Sequence, residues 1–142
     1  MRKLMVTVLS VWVIITAALL LMGHEVLIQP GPYGVPMGNL LTWTALVAFP
    51  AAQLLGLYHK KNRENDLRIN IFWIGAWASM VVSALWGLLS YGLSGNWYFT
   101  FSQNAPDFVG GPEAAVFFMY LTIATALLPL FVLLLYLIYR SL

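Results

Sequence analysis

The chain has 142 residues, of which 61% are hydrophobic and 8% are charged, and its mean hydropathy is +0.83. Because an ordinary soluble domain is about a quarter charged, this composition excludes a soluble globular protein and indicates an integral membrane protein. The absence of cysteine excludes disulfide bonds, cysteine-ligated iron–sulfur clusters and thiol catalysis.

Four stretches without Asp, Glu, Lys or Arg are each long enough to contain the roughly 20 residues that cross a bilayer. They are 4–24, 26–59, 69–106 and 114–139. Continuous apolar runs favour helices over the alternating strands of a membrane barrel. The sequence therefore predicts a single all-α domain over 1–142, a bundle of four transmembrane helices. The approximate spans are 4–23, 39–58, 69–91 and 114–139.

The first span follows Arg2 and Lys3, which also resembles the start of a signal peptide. Its apolar run is longer than a usual signal core and no small-residue cleavage site follows it, so we expect a retained membrane anchor. Residues 30–38 are rich in Pro and Gly, which prevents a continued helix and predicts a first outer loop.

Polar residues 59–68 follow the second span and predict a short turn before the third span. A second outer segment, 92–113, then leads to the fourth span. With this arrangement one side carries seven basic and two acidic residues, net +5, and the other three acidic residues, net −3. Cytoplasmic loops retain Lys and Arg, so we expect a multi-pass protein of a bacterial or archaeal cytoplasmic membrane with both termini in the cytoplasm.

The basic residues are explained by this topology, and nothing else in the sequence indicates nucleic-acid binding. The four spans contain no Asp, Glu, Lys, Arg or His. Proton relays, voltage sensors and ion-coupled carriers usually need such groups at membrane depth, so the chain alone lacks them. Among the neutral polar residues, Gln53 lies three residues after Pro50, and we expect its amide to satisfy the carbonyl that this proline frees.

Small residues recur at intervals of four in the third span, which places them on one helix face. These are Gly75, Ser79, Ser83 and Gly87, and the second span has a shorter series in Ala48, Ala52 and Gly56. Small faces allow close helix packing in lipid. We expect these two faces to pack on each other, and an intermolecular use of the Gly75 series stays open.

Aromatic residues are unusually frequent at two places. Trp12, Trp77 and Trp86 fall within the predicted hydrocarbon, where an indole needs a partner for its N–H, so we expect them to contact protein, a pigment, a quinone or a bound acyl chain rather than free lipid. The second outer segment is aromatic and is expected to be interfacial. Its predicted contacts with a partner or lipid headgroups are Trp97, Tyr98, Phe99, Phe101 and Phe108.

The outer side also holds His24, Glu25, Asp107 and Glu113, whose imidazole and carboxylate groups are suitable metal ligands, although their spacing matches no established metal signature. Gly111, Pro112 and Glu113 otherwise have the composition of a helix start. His24 and His59 lie at opposite ends of the predicted membrane, so the chain alone cannot bind one haem through both. We predict no cofactor for this chain alone, and a bound lipid or quinone stays open.

The absence of a reactive constellation predicts a non-catalytic small subunit of a larger membrane complex, of a respiratory or other energy-converting type, with other membrane subunits as partners. A first alternative is a homo-oligomeric channel or carrier for a neutral or lipidic molecule, lined by Gln53, Thr42 and Ser79. A second alternative is a membrane metal protein or enzyme with its site at His24 and Glu25.

Overall fold

A computed structural model of the chain describes residues 1–63, 67–97 and 109–141, without the side chains of residues 59, 60, 62 and 63. Four helices account for most of these residues: α1 (Arg2–Met22), α2 (Met37–Arg63), α3 (Leu67–Ser94) and α4 (Gly111–Ser141). Each is long and apolar enough to span a membrane, and no strand occurs in the described ranges. The predicted all-helical class is confirmed, and the four candidate spans are those expected of a multi-pass membrane protein.

The helices extend beyond the hydrophobic spans that the sequence predicts. α2 continues to Arg63 and α3 begins at Leu67, so most of the expected polar turn is helical. The reason is that Lys and Arg are good helix formers, and hydropathy marks where the apolar stretch ends rather than where the helix ends. The start of α4 matches its prediction, since Gly111 has a φ of 71° and Pro112 lies in the first turn.

The first loop is built from two short 3-10 turns instead of a helix. Gly23 ends α1 in the left-handed conformation, and the N–H groups of Gly23 and His24 donate to the carbonyls of Leu20 and Leu19. This pairing satisfies carbonyls that the helix end would leave free. Leu27, in the first 3-10 turn, is buried and this turn packs on α2.

The helices pack in chain order: α1 on α2, α2 on α3 and α3 on α4, with a smaller contact between α2 and α4. Since successive helices run in opposite directions, the basic residues gather at one end of the bundle, called the basic end below. There the Arg68 guanidinium lies 5.4 Å from the Tyr139 ring centre, and the Lys61 ammonium lies 4.9 Å from that of Trp73.

The buried interior is small and partly polar. Its apolar part centres on Leu54, Leu57 and Ala76, and Trp86 is the largest fully buried side chain among the described residues. Buried polar side chains are Thr16, Asn39, Gln53, Ser79, Ser83, Ser90, Ser94 and Thr125. Small neutral polar residues of this kind permit close helix approach without the cost of a charge in hydrocarbon.

Candidate functional site

The structure describes three of the four predicted outer metal ligands, and it does not bring them together into a metal-binding group. His24 and Glu25 are exposed, and the His24 Nδ1 accepts a hydrogen bond from the Val26 N–H at 3.2 Å, which caps the first 3-10 turn. Glu113 lies in the first turn of α4. Among the described residues no three His, Cys, Asp or Glu side chains form a metal-binding group, and Asp107 lies outside those residues.

Indole N–H groups connect each pair of successive helices. Trp12 of α1 donates to the Thr44 hydroxyl of α2 at 3.2 Å, and Trp86 of α3 donates to the Thr122 hydroxyl of α4 at 2.9 Å. Trp43 of α2 donates to the Ser83 carbonyl of α3 at 3.1 Å. An indole at membrane depth has no water to bond with, so these contacts fix how neighbouring helices pair.

The three deep tryptophans named from the sequence have different surroundings. Trp86 is 1% exposed, so it serves internal packing and is not available to a partner or to lipid. Trp77 is 48% exposed and its ring lies edge-on to Trp73, 6.3 Å between centres. Trp12 combines an exposed ring with an internal hydrogen bond. Trp77 and Trp12 are therefore the two of the three that present a ring to the outside.

The small-residue series of α3 packs inside the chain and faces two helices. A Cβ added at Gly87 would lie 2.5 Å from the Trp43 ring of α2, whereas one added at Gly75 would lie 3.1 Å from Val132 of α4. Four residues turn a helix by about 400°, so the series drifts around α3 by roughly 40° per step. Because Ser79 and Ser83 are also buried within the chain, the intermolecular use left open for this series does not fit.

The shorter series on α2 meets the prediction only in part. Ala48 and Ala52 are buried, as expected for packing positions. Gly56 is exposed, and a Cβ added there would meet nothing within 4 Å, so its predicted role in close packing is wrong. The reason is that Gly56 lies in the wall of an open groove.

The aromatic outer segment is described only at its start. The Trp97 ring stacks on Tyr91, 4.6 Å between centres, and on Trp43 at 6.4 Å, and its carbonyl accepts a hydrogen bond from the Asn39 amide at 2.6 Å. This part of the segment is therefore docked on α2 and α3. Tyr98, Phe99, Phe101 and Phe108 lie outside the described residues, and their contacts stay predictions.

A groove of about 350 Å³ separates α1 from α4 and is floored by α2. Small-molecule pockets in proteins start at about 300 Å³, so the groove has the size of a ligand site. Its polar and aromatic wall residues are Ser10, Phe49, Gln53, Tyr136 and Arg140. Apolar side chains of the same three helices complete the wall, which suits an amphipathic molecule.

Gln53 is the most unusual residue of this groove. Its Nε2 donates to the Pro129 carbonyl of α4 at 2.6 Å, while its buried Oε1 has no hydrogen-bond partner. An unsatisfied buried acceptor costs about 1 to 3 kcal/mol. The expectation that this amide would serve its own helix at Pro50 is therefore wrong, because the side chain bridges α2 and α4 instead.

Of the polar and aromatic groove residues, only some were singled out by the sequence analysis. Gln53 was singled out as a neutral polar residue three positions after Pro50, but Ser10, Phe49 and Arg140 had no local pattern that set them apart. They meet only through the packing of α1 and α4 on α2, which brings together residues from different helices that are far apart in the chain. Thr42 and Ser79, predicted with Gln53 to line a pathway, are not part of the groove wall.

Comparison with known proteins gives no relative: no protein-family model, no curated protein and no solved structure matches the chain. Similarity therefore assigns no function. Arguments about function rest on the groove, the indole contacts and the exposed helix faces.

Proposed function

We propose that the chain is a small non-catalytic subunit of a larger integral membrane complex, of a respiratory or other energy-converting type. Its helices would pack against other membrane subunits and its remaining surface against the bilayer. We propose that both termini lie in the cytoplasm of a bacterium or an archaeon. The seven basic residues support this orientation, because Lys and Arg near span ends are retained on the cytoplasmic side.

The observation that carries the proposal is the position of α1. Its one extensive helix neighbour in the described structure is α2, and 6% of its membrane-spanning window is buried, against 39% for α2. A helix of a closed four-helix bundle packs on two neighbours. α1 lies on the rim of an open arrangement, and a helix from another chain would complete it.

The chemistry of the interior supports a structural rather than a catalytic role. The polar side chains buried at membrane depth are neutral Ser, Thr, Asn and Gln, and the spans have no group that exchanges protons near neutral pH. No grouping of three His, Cys, Asp or Glu residues occurs in the described ranges. Such an interior holds helices together and positions neighbours.

Copurification from native membranes tests this proposal. The chain, tagged at its basic end and extracted in a mild detergent, is expected to bring down a fixed set of other membrane proteins in constant ratio. Mass spectrometry identifies those chains, and an unrelated tagged four-span protein from the same membrane serves as the control. Recovery of the chain as a stable monomer without specific companions would refute the proposal.

A carrier for a lipidic molecule is the second candidate, and the groove between α1 and α4 favours it. The groove has a few polar side chains, Ser10, Gln53, Tyr136 and Arg140, in an otherwise apolar wall, as expected for a site that binds an amphiphile. Purified chain in liposomes would then exchange a fluorescent lipid or neutral solute faster than empty liposomes. Equal rates with and without the chain would argue against this candidate.

A further inference from the structure

The groove between α1 and α4 starts at the basic end of the bundle and runs toward its middle. Arg140 lies at its mouth on α4, and Tyr136 and Val132 precede it at intervals of four, which places all three on one helix face. From Arg140 to Val132 the helix advances about 12 Å. On α2 the groove extends over the same length, from Leu57 to Phe49. The groove is therefore elongated along the helices and opens at the basic end.

The mouth of the groove is positively charged on both sides. On α1, Arg2 is half-buried and lies on the same face as the groove residues Val6 and Ser10, again at intervals of four. On α4, Arg140 lines the groove itself. Its side chain starts out toward the interior, because the Cα–Cβ bonds of a helix tilt toward the helix N-terminus. Two guanidinium groups from different helices therefore flank the mouth.

The acidic residues that the structure describes do not neutralise this mouth. Glu25 and Glu113 lie at the opposite end of the bundle, after α1 and at the start of α4. Glu64 and Asp66, in the connection between α2 and α3, lie outside the described residues. Guanidinium groups bind phosphate through paired N–H donors. The mouth is therefore suited to a phosphate group from outside the chain.

The deeper part of the groove has a different chemistry. Beyond Tyr136 the wall is mainly apolar, with Leu133 on α4 and Leu57, Ala52 and Phe49 on α2. A transmembrane helix, about 10 Å wide with side chains, is too broad for a groove of about 350 Å³. An acyl chain is slender and needs no hydrogen-bond partner. The occupant that fits both parts has an anionic head and an apolar tail.

From this geometry we propose that the groove binds an anionic phospholipid from the leaflet at the basic end. Its phosphate accepts hydrogen bonds from the guanidinium groups of Arg140 and Arg2, and one acyl chain lies in the groove over Gly56. The other acyl chain stays in the surrounding bilayer. Basic pockets between transmembrane helices on the cytoplasmic side bind anionic headgroups. A zwitterionic lipid binds more weakly because its own cation is repelled by the two arginines.

Native mass spectrometry of the full chain, titrated with phosphatidylglycerol and phosphatidylcholine of identical acyl chains, tests the proposal. We expect one phosphatidylglycerol per chain at a distinct first site, bound about tenfold more tightly than phosphatidylcholine, since each basic residue adds to the attraction of an anionic headgroup. Equal affinity for the two lipids, or a series of adducts without a distinct first site, would overturn the proposal.

A pair of charge variants separates the groove mouth from the general positive charge of the basic end. Arg140→Gln is expected to lower phosphatidylglycerol affinity to within about threefold of that of phosphatidylcholine. Lys61→Gln removes the same unit charge at the same end, but the Lys61 ammonium lies over the Trp73 ring and outside the groove wall, so the preference is expected to remain. Equal loss of preference in the two variants would contradict a site at Arg140.

A second pair of variants tests the position of the acyl chain. Gly56→Leu places a side chain in the open groove without a clash and is expected to weaken binding of both lipids at least tenfold, because acyl methylenes lose their burial. Gly92→Leu, at an equally open helical position outside the groove, is expected to leave binding unchanged. Unchanged binding in Gly56→Leu would overturn the assignment of the groove.

The inference rests on neither candidate function, since a subunit can retain such a lipid and a carrier can exchange it. Binding is measured on the full chain with any companions that it keeps, and the Gly56→Leu variant distinguishes the groove from a lipid site on a companion chain. A chain that copurifies with partners but binds the two lipids equally would refute this inference alone.

Discussion

At the scale of single residues, tryptophan side chains determine much of how the helices meet. The Trp43 side chain makes three contacts: its N–H donates to the backbone of α3, its ring stacks on Trp97, and its six-membered ring lies against Gly87. Trp12 and Trp86 form corresponding hydrogen bonds at the other two helix pairs. The pairing of helices therefore depends on a few specific contacts rather than on general hydrophobicity.

The contact between Gly87 and Trp43 makes a sharp prediction. In Gly87→Ala the new Cβ would lie 2.5 Å from the indole, which is held by its hydrogen bond and cannot move freely. We expect overpacking to lower the free energy of unfolding by about 1 to 3 kcal/mol. Unfolding in mixed micelles measures this, with Gly92→Ala, at an open position of the same helix, as the matched control. Equal stability of the two variants would contradict the described contact.

Single residues also show which contacts the sequence could not predict. The need of a deep indole for a partner is a general rule, and it anticipated the hydrogen bonds of Trp12 and Trp86. The partners Thr44 and Thr122 are 32 and 36 positions away in the chain, so only the folded packing identifies them. Gln53 was singled out as a neutral polar residue three positions after Pro50, but its bond to Pro129 required the approach of α4 to α2.

At the scale of helices, the sequence predicted number and type well and boundaries less well. Four apolar stretches without charge correspond to four helices, because a membrane leaves the backbone no other way to satisfy its polar groups. The predicted and observed helix ends differ by a few residues, because hydropathy does not detect polar residues that continue a helix beyond its apolar stretch. The two-sided packing of the Gly75 series was missed because a repeat of four drifts around a helix.

The rim position of α1 predicts uneven stability among the helices. With one extensive neighbour, α1 has fewer tertiary contacts to hold its hydrogen-bonded backbone than α3, which packs on both α2 and α4. Local opening is easier where tertiary contacts are few. In the isolated chain in detergent, amide hydrogens of α1 are expected to exchange faster than those of α3 at the same membrane depth. Equal protection, measured by mass spectrometry of peptides, would argue that α1 is held more firmly than its contacts indicate.

At the scale of the whole molecule, the helix order places Met1, Ser141 and the backbone positions of the basic residues at one end. We expect this end to be cytoplasmic. The chain has no cysteine, so single cysteines report accessibility without background. In intact cells Tyr33→Cys, in the first loop, should react with a membrane-impermeant maleimide, and Ser141→Cys should react only after permeabilisation. The reverse pattern would contradict the orientation.

The candidate groove belongs to this scale as well, because three helices far apart in sequence form it. Its existence was not foreseen, although the sequence left a bound lipid or quinone open. Hydropathy does not predict that α1 and α4 are separated on α2 by a groove and do not pack on each other to close the bundle. The same opening that forms the groove also leaves α1 with an uncovered face.

We expect this uncovered face of α1 to be covered by another chain, and photocrosslinking in native membranes is the most direct test. Ile14 is 67% exposed at mid-membrane on α1, and a photoreactive benzoylphenylalanine there would lie against any neighbouring helix. We predict a discrete light-dependent product with a second, different polypeptide, larger than the 15.9 kDa chain by that partner's mass. Labelling of lipid alone, or a product of two identical chains, would contradict it.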